Sequence, residues 1–247
     1  MYSITLRFKF VKKDEFKYLS HLDLIRIISR AVARAGLKPV YSKGFNPKPK
    51  ISFSNPTPLG IESFAEYCDI ELINDVEAVK FTELMNGVLP EQIKIVEAKR
   101  IERKISSLMS EISLVLYEFN LKLLKSDNKS CLKIKKILSA NNKSDGLIML
   151  IEALEKDFGS EINKIPEIFK SMYSFNFDST NNNVIVLKIF GYAKIMKDKD
   201  NLIFKLNSFL NFLNNFIEKH KMRLESLRKL EMYLNIDDKR ITPLDAV

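Results

Sequence analysis

The segment Ser3–Gly36 reads S-I-T-L-R-F-K-F-V-K-K-D-E-F-K-Y-L-S-H-L-D-L-I-R-I-I-S-R-A-V-A-R-A-G, and its periodicity changes halfway. From Ser3 to Phe10 the residues alternate, with Ile4, Leu6, Phe8 and Phe10 on one face and Thr5, Arg7 and Lys9 on the other. That is the spacing of a strand buried on one side. Lys12–Lys17 is a charged turn. From Ser20 the pattern becomes helical: Leu24, Ile25, Ile28, Ala31, Val32 and Ala35 fall on one stripe at about 100° per residue. Ser20 followed by Asp23 is a variant capping box, and Gly36 is a C-terminal stop.

Further along, Ile51 and Phe53 predict a second strand, closed by N-P-T-P-L-G. Cys68, Ile70 and Leu72 alternate with Tyr67, Asp69 and Glu71 as a third strand. Asn74 or Asp75 then caps a helix whose inward residues are Val76, Val79, Leu84, Met85 and Val88, and Ile93–Ile101 makes a fourth strand. Strand, helix, strand, strand, helix, strand is the ferredoxin-like split pattern. The second half repeats parts of it. Ile112–Leu124, Val184–Phe190 and Met222–Asn235 read as strands, Ser130–Leu138 as a short basic helix, and 202–217 as a helix capped by Asn201. Gly146–Phe158 fits either a helix or a strand. The expected fold is α+β, two tandem ferredoxin-like (βαββαβ) units over residues 1–102 and 110–247, joined near 102–110.

Composition narrows the function. With 247 residues and a hydrophobic fraction of 46%, the chain can build real cores. No window approaches the roughly 20 apolar residues of a membrane helix. The alternating N-terminus matches neither a signal nor a transit peptide, so a cytoplasmic protein away from membranes is expected. Cys68 and Cys131 are the two cysteines and share no C-x-x-C spacing; His21 and His220 are the two histidines. No metal centre, disulfide or cofactor is expected from so few ligands. The net charge of +9 points to an acidic partner such as RNA, DNA or an acidic protein surface, although Lys, Asn and Ile are abundant throughout.

The charge is concentrated. Between Asp23 and Glu62 there is no acidic residue, while Arg26, Arg30, Arg34, Lys38, Lys43, Lys48 and Lys50 are basic. Arg26, Arg30 and Arg34 recur every fourth residue on the face opposite the apolar stripe. They read either as the solvated side of a helix or, with the adjoining loop, as a phosphate-binding surface. Tyr41 and Phe45 interleave with Lys43, Lys48 and Lys50, a pattern suited to stacking on unpaired bases. Gly44, Asn46 and Pro47 hold the loop in turns, as a binding loop or a structural crossover. His21, at the helix start, reads as a weak candidate for general acid–base work or anion contact, or as a packed histidine. Asp23 reads as a cap.

The stretches Y-L-S-H-L-D-L (18–24), R-A-V-A-R-A-G-L (30–37), Y-S-K-G-F-N-P-K-P-K-I-S-F (41–53), P-L-G-I-E-S (58–63) and E-Y-C-D-I-E-L (66–72) resemble the radical-SAM-linked family, a bacterial domain of unknown function. Lys48 departs from that family's pattern, in which histidine is frequent there, and this weakens any site pairing His21 with the loop. The resemblance implies a partnership with a radical S-adenosylmethionine protein. This chain has no triple-cysteine cluster motif and so resembles a separate accessory half. Three functions are expected to compete: a non-catalytic RNA-binding accessory subunit, an RNA-processing nuclease using His21, and a protein-interaction module without nucleic acid.

Overall fold

A computed structural model describes residues 3–73, 75–102, 106–123, 172–178, 184–192, 222–236 and 239–247, together with Leu210, Asn214, Ile217 and Glu218. The protein is mixed α+β, with a sheet of long strands and few helices among the described residues. It divides into two compact units, one of residues 1–115 with 228–247 and one of residues 116–227. The first unit therefore contains the C-terminal segment as well as the N-terminal hundred residues.

In the first unit, strand β1 (Ile4–Lys12) is followed by a short 3-10 helix at Asp14–Tyr18 and by helix α1 (His21–Arg34). Strands β2 (Ile51–Phe53) and β3 (Glu62–Leu72), helix α2 (Ala78–Asn86) and strand β4 (Ile93–Ile101) complete the expected succession. β1 lies between β4 and β3 and is antiparallel to both, with Phe8 opposite Cys68 on one side and Ala98 on the other. β2 is antiparallel to β3, Phe53 facing Cys68. β1 and β2 thus run parallel with β3 inserted between them. The eleven residues of β3 leave room for another neighbour, and Glu62 and Ser63 pair in parallel with Arg228 and Lys229 of β8 (Met222–Ile236).

The core on the helix side follows the two periods read from the sequence. Ile4, Leu6, Phe8 and Phe10 meet Leu24, Ile28, Ala31 and Val32 of α1 and Phe81 and Met85 of α2. The phase of α2 differs from the expectation. Its first helical residue is Ala78, Glu77 occupies the cap position without a side-chain bond, and Val79 points to solvent while Phe81 packs on Phe8 at 5.3 Å. Asp75 does not cap this helix but pairs with Arg100 at 3.0 Å.

The other face of β1 is covered rather than solvated. Arg7 is completely buried. Its Nε and Nη2 donate to the two oxygens of Asp69 at 2.8 and 2.9 Å, and its Nη1 donates to Glu111 at 3.2 Å and to the carbonyl of Pro243 at 3.1 Å. Burial works against the guanidinium charge, but Asp69 and Glu111 more than offset it and hold its pKa above the ordinary arginine value. Next along, Lys9 and the Tyr67 hydroxyl both donate to Glu231, the tyrosine at 2.6 Å. The cover comes from α3 (Leu108–Glu111), from Glu231 of β8 and from the C-terminal turn at Pro243, while β9 (Lys239–Ile241) pairs with the end of β8.

In the second unit the strand order is β8, β5 (Leu114–Leu123), β7 (Val184–Tyr192) and β6 (Met172–Asp178). β5 and β8 each begin in one unit and end in the other. Asn120 donates to Ser226 at 2.7 Å, and β6 and β7 form an antiparallel pair with Phe175 opposite Leu187. The expected strands at 112–124, 184–190 and 222–235 are present, and β6 was not anticipated. The helices expected at 130–138 and 202–217 and the ambiguous 146–158 lie wholly or largely outside the described residues, as does Asn74.

Arg7→Met should cost about 3–5 kcal/mol of stability, because it strands Asp69 and Glu111 in a buried layer without their cation. Arg7→Lys keeps the charge but loses the two-point fit and should fall in between. Urea unfolding of the full chain measures both; a loss below about 1 kcal/mol for Arg7→Met would refute this role.

Candidate functional site

Helix α1 starts as its cap pair predicts. Ser20 Oγ accepts from the Asp23 amide at 3.2 Å, and the Ser20 hydroxyl donates to the Asp23 carboxylate at 2.7 Å. The Ser20 hydroxyl bond, and one from Arg26 at 2.9 Å, hold the Asp23 carboxyl below its ordinary pKa. The helix ends with Ala35 and with Gly36 at φ +70°. The three arginines of its outer face are not equivalent. Arg26 is paired with Asp23, Arg34 donates to the Val88 carbonyl at 2.5 Å, and Arg30 projects into solvent.

The basic loop is a hydrogen-bonded hairpin. At its base the Val40 amide donates to the Glu71 carbonyl at 2.8 Å and the Lys50 amide to the Val40 carbonyl at 2.7 Å. Higher up, the Ser42 amide donates to the Lys48 carbonyl at 2.8 Å, and the Lys48 amide returns a bond to Ser42 Oγ at 3.0 Å. Tyr41 and Pro49 form an isolated β-bridge between these levels. The tip is therefore Lys43–Pro47, turned by Gly44 at φ +138°, with Asn46 and Pro47 exposed. Phe45 is 107% exposed and Tyr41 51%. Lys38, Lys43 and Lys48 are exposed without an acidic partner among the described residues, whereas Lys50 pairs with Glu71 at 2.7 Å. That hydrogen bond lowers the Glu71 pKa.

His21 sits apart from this hairpin. Its ring meets the Phe53 ring edge-on at 5.5 Å, and its buried Nδ1 has no hydrogen-bond partner. Phe53 is paired with Cys68, while the hairpin base is bonded to Glu71. Three residues of strand separate these levels, about 10 Å. Among the described residues no three His, Cys, Asp or Glu side chains converge on a metal position, and Cys68 is a buried free thiol.

The sequence reading missed a buried cluster of charge. Lys12, Glu66 and Lys229 are all at least 97% buried. Lys229 Nζ lies 2.9 Å from Glu66 Oε1 as an ion pair but without the alignment of a hydrogen bond, and the Thr57 hydroxyl donates to the same oxygen. Glu66 thus acts on both ammonium groups, and Glu231 adds to the field at Lys229. Burial lowers the pKa of both lysines, with Glu66 opposing the shift. In the sequence Lys12 falls in the charged turn Lys12–Lys17 and Lys229 within the strand expected over Met222–Asn235. Their convergence depends on the β3–β8 pairing, which local periodicity does not encode.

This chain belongs to DUF2344, a family described as uncharacterized protein conserved in bacteria, whose pattern matches residues 5–183. No curated protein matches it. Among solved structures it is similar to a crystal structure of an unknown protein from Galdieria sulphuraria, at 8% identity and TM-score 0.25, covering 92% of this chain and 99% of the other. None of the helices formed by the described residues is long and apolar enough to cross a membrane.

Glu66→Gln should destabilise the protein by about 3–5 kcal/mol, because it removes the direct ion-pair partner of Lys229 and the counter-charge of Lys12 and leaves only Glu231 acting on Lys229. Lys229→Met, which removes one of the two ammonium groups around Glu66, should cost much less. The folded state binds the lysine protons less readily than the unfolded chain, so stability should rise with pH toward the ordinary lysine value of 10.5. Lys229→Met should flatten that rise. Urea unfolding between pH 6 and about 9 tests this; equal losses in the two variants would refute it.

Proposed function

We propose that this chain is a non-catalytic RNA-binding accessory protein, and that hairpin 40–50 and the adjoining surface of α1 form its RNA contact. The single observation that carries the reading is the hairpin tip. It is held by reciprocal bonds between Ser42 and Lys48, presents Phe45 and Tyr41 to solvent, and carries Lys43 and Lys48 without acidic partners among the described residues. A pre-ordered loop loses little entropy on binding, and lysines beside exposed rings meet both phosphate and base. Arg30 and Lys38 are likewise exposed and, on this reading, add to the positive charge that meets the RNA.

The same reading places the protein in the cytoplasm beside a radical S-adenosylmethionine enzyme, to which it presents the RNA. The motif resemblance at 18–24, 41–53 and 58–63 supports this partnership. We also take the two halves as tandem ferredoxin-like units. The support is the first half, where two helices and the order β4-β1-β3-β2, antiparallel throughout, repeat the split pattern.

Fluorescence anisotropy with a structured RNA should show binding that weakens as salt rises from about 50 to 200 mM, through counterion release. Lys43→Gln with Lys48→Gln should lower the slope of log affinity against log salt by about 1.4, two phosphate contacts at roughly 0.7 each for single strands. No binding at low salt, or an unchanged slope, would overturn the RNA reading. Affinity purification from the native bacterium, with nuclease added, should retain a cluster-bearing radical protein. Its absence would remove the partnership and leave RNA binding standing.

A further inference from the structure

We infer that the hairpin tip selects unpaired nucleotides, with Phe45 as the platform on which a base stacks; this deepens the RNA reading above and rests on it. Phe45 is more exposed than in a reference extended peptide, so none of the described residues shields its ring. An aromatic ring held in water at the end of an ordered hairpin stabilises nothing within the chain, and its gain comes on contact with another apolar face. The surrounding charge identifies that face. Lys43 stands two residues before Phe45 and Lys48 three after it, and residues 24–61 contain no acid, so an anionic partner is favoured on both sides of the ring. A nucleic acid strand combines flat faces with negative charge. Its base faces are available only when unpaired, since a duplex offers phosphates and groove edges but no open ring. Tyr41, half exposed on the same hairpin, supplies a second ring toward its base, and the Ser42–Lys48 bonds hold the tip ready before binding.

The division of labour follows. Lysines 43 and 48 supply the salt-dependent part of binding, and Phe45 supplies a salt-independent part that only single-stranded substrate receives. The test uses the full chain and a labelled 12-nucleotide RNA, free or annealed to its complement. The free strand should bind about tenfold or more tightly than the duplex. Phe45→Ala should weaken single-strand binding by about 5- to 150-fold, the worth of one base–aromatic stack, while leaving the salt slope and the duplex affinity unchanged. The chain contains no tryptophan, so Phe45→Trp introduces one reporter at the tip. Its fluorescence should be quenched when the single strand binds and not when the duplex binds. Because the Phe45 ring packs on none of the described residues, both variants should keep the wild-type fold, which circular dichroism and urea unfolding check. Salt-dependent binding with equal affinity for both forms, or with an unaffected Phe45→Ala, would overturn the stacking inference and leave the RNA reading intact. Absence of any RNA binding at low salt would overturn both. If Phe45→Ala keeps its RNA affinity but loses a co-purifying protein, the ring docks on protein and the inference is wrong.

Discussion

The guanidinium of Arg7 is the constraint on which the first unit depends. It joins β3 through Asp69, the segment after β4 through Glu111, and the C-terminal turn through the Pro243 carbonyl. The last contact spans 236 residues of sequence. Its planar fork suits a carboxylate held on the neighbouring strand, and the register of β1 and β3 puts Arg7 directly opposite Asp69. A strand that would otherwise show one wet face is thereby sandwiched, with hydrocarbon on the helix side and ion pairs on the other. Ion pairs in such a layer add less net stability than packed apolar groups would, but they are demanding about register. Slipping β1 by one residue would move Arg7 into the hydrocarbon and Phe8 among the carboxylates.

Much of this architecture was legible in Ser3–Gly36 and in Ile93–Ile101, because strands and helices with one apolar face announce their period. The cap at Ser20 and the stop at Gly36 were equally plain, since each depends on neighbours within three or four residues. The covered polar face was not legible. Arg7 and Lys9 alternate with Ile and Phe in the same way whether water or carboxylates lie opposite, and their partners Glu111 and Glu231 are distant in the chain. Strand β6 escaped notice for a different reason: M-Y-S-F-N-F-D alternates, but Ser, Asn and Asp dilute it beside a polar S-T-N-N-N run. In α2 the inward residue was misassigned because the helix begins later than its first cap-forming residue suggested. That shift turns Val79 out and Phe81 in.

The candidate surface was legible as composition and not as shape. The acid-free run marked Arg26 to Lys50 as one region, but the folded chain sorts those seven cations into different states. Arg26 and Lys50 have carboxylate partners, Arg34 is drawn to a backbone carbonyl, and Arg30, Lys38, Lys43 and Lys48 stand exposed. His21, which shares the region in sequence, faces Phe53 instead. The hairpin itself followed from Gly44 and the prolines only in outline. Its reciprocal Ser42–Lys48 bonds, and the freedom of the Phe45 ring, depend on where β3 anchors the two arms.

That sorting bears on what the surface can achieve on the RNA reading. Exposed pairs such as Arg26–Asp23 are worth little and exchange readily, so a phosphate can compete for Arg26; Arg34, turned to Val88, is less free. The accessible charge then amounts to a handful of phosphate contacts, and contacts of that kind weaken steeply with salt and do not distinguish one strand from another. Charge alone would leave such a protein indifferent among polyanions. Discrimination has to come from the part of the surface that is not charged, and at the hairpin that part is the ring of Phe45 with Tyr41 behind it. The hydrogen-bonded arms matter for the same reason: on the RNA reading, a ring presented between Lys43 and Lys48 would favour a strand whose bases are free to turn outward and would gain nothing from one whose bases are already paired.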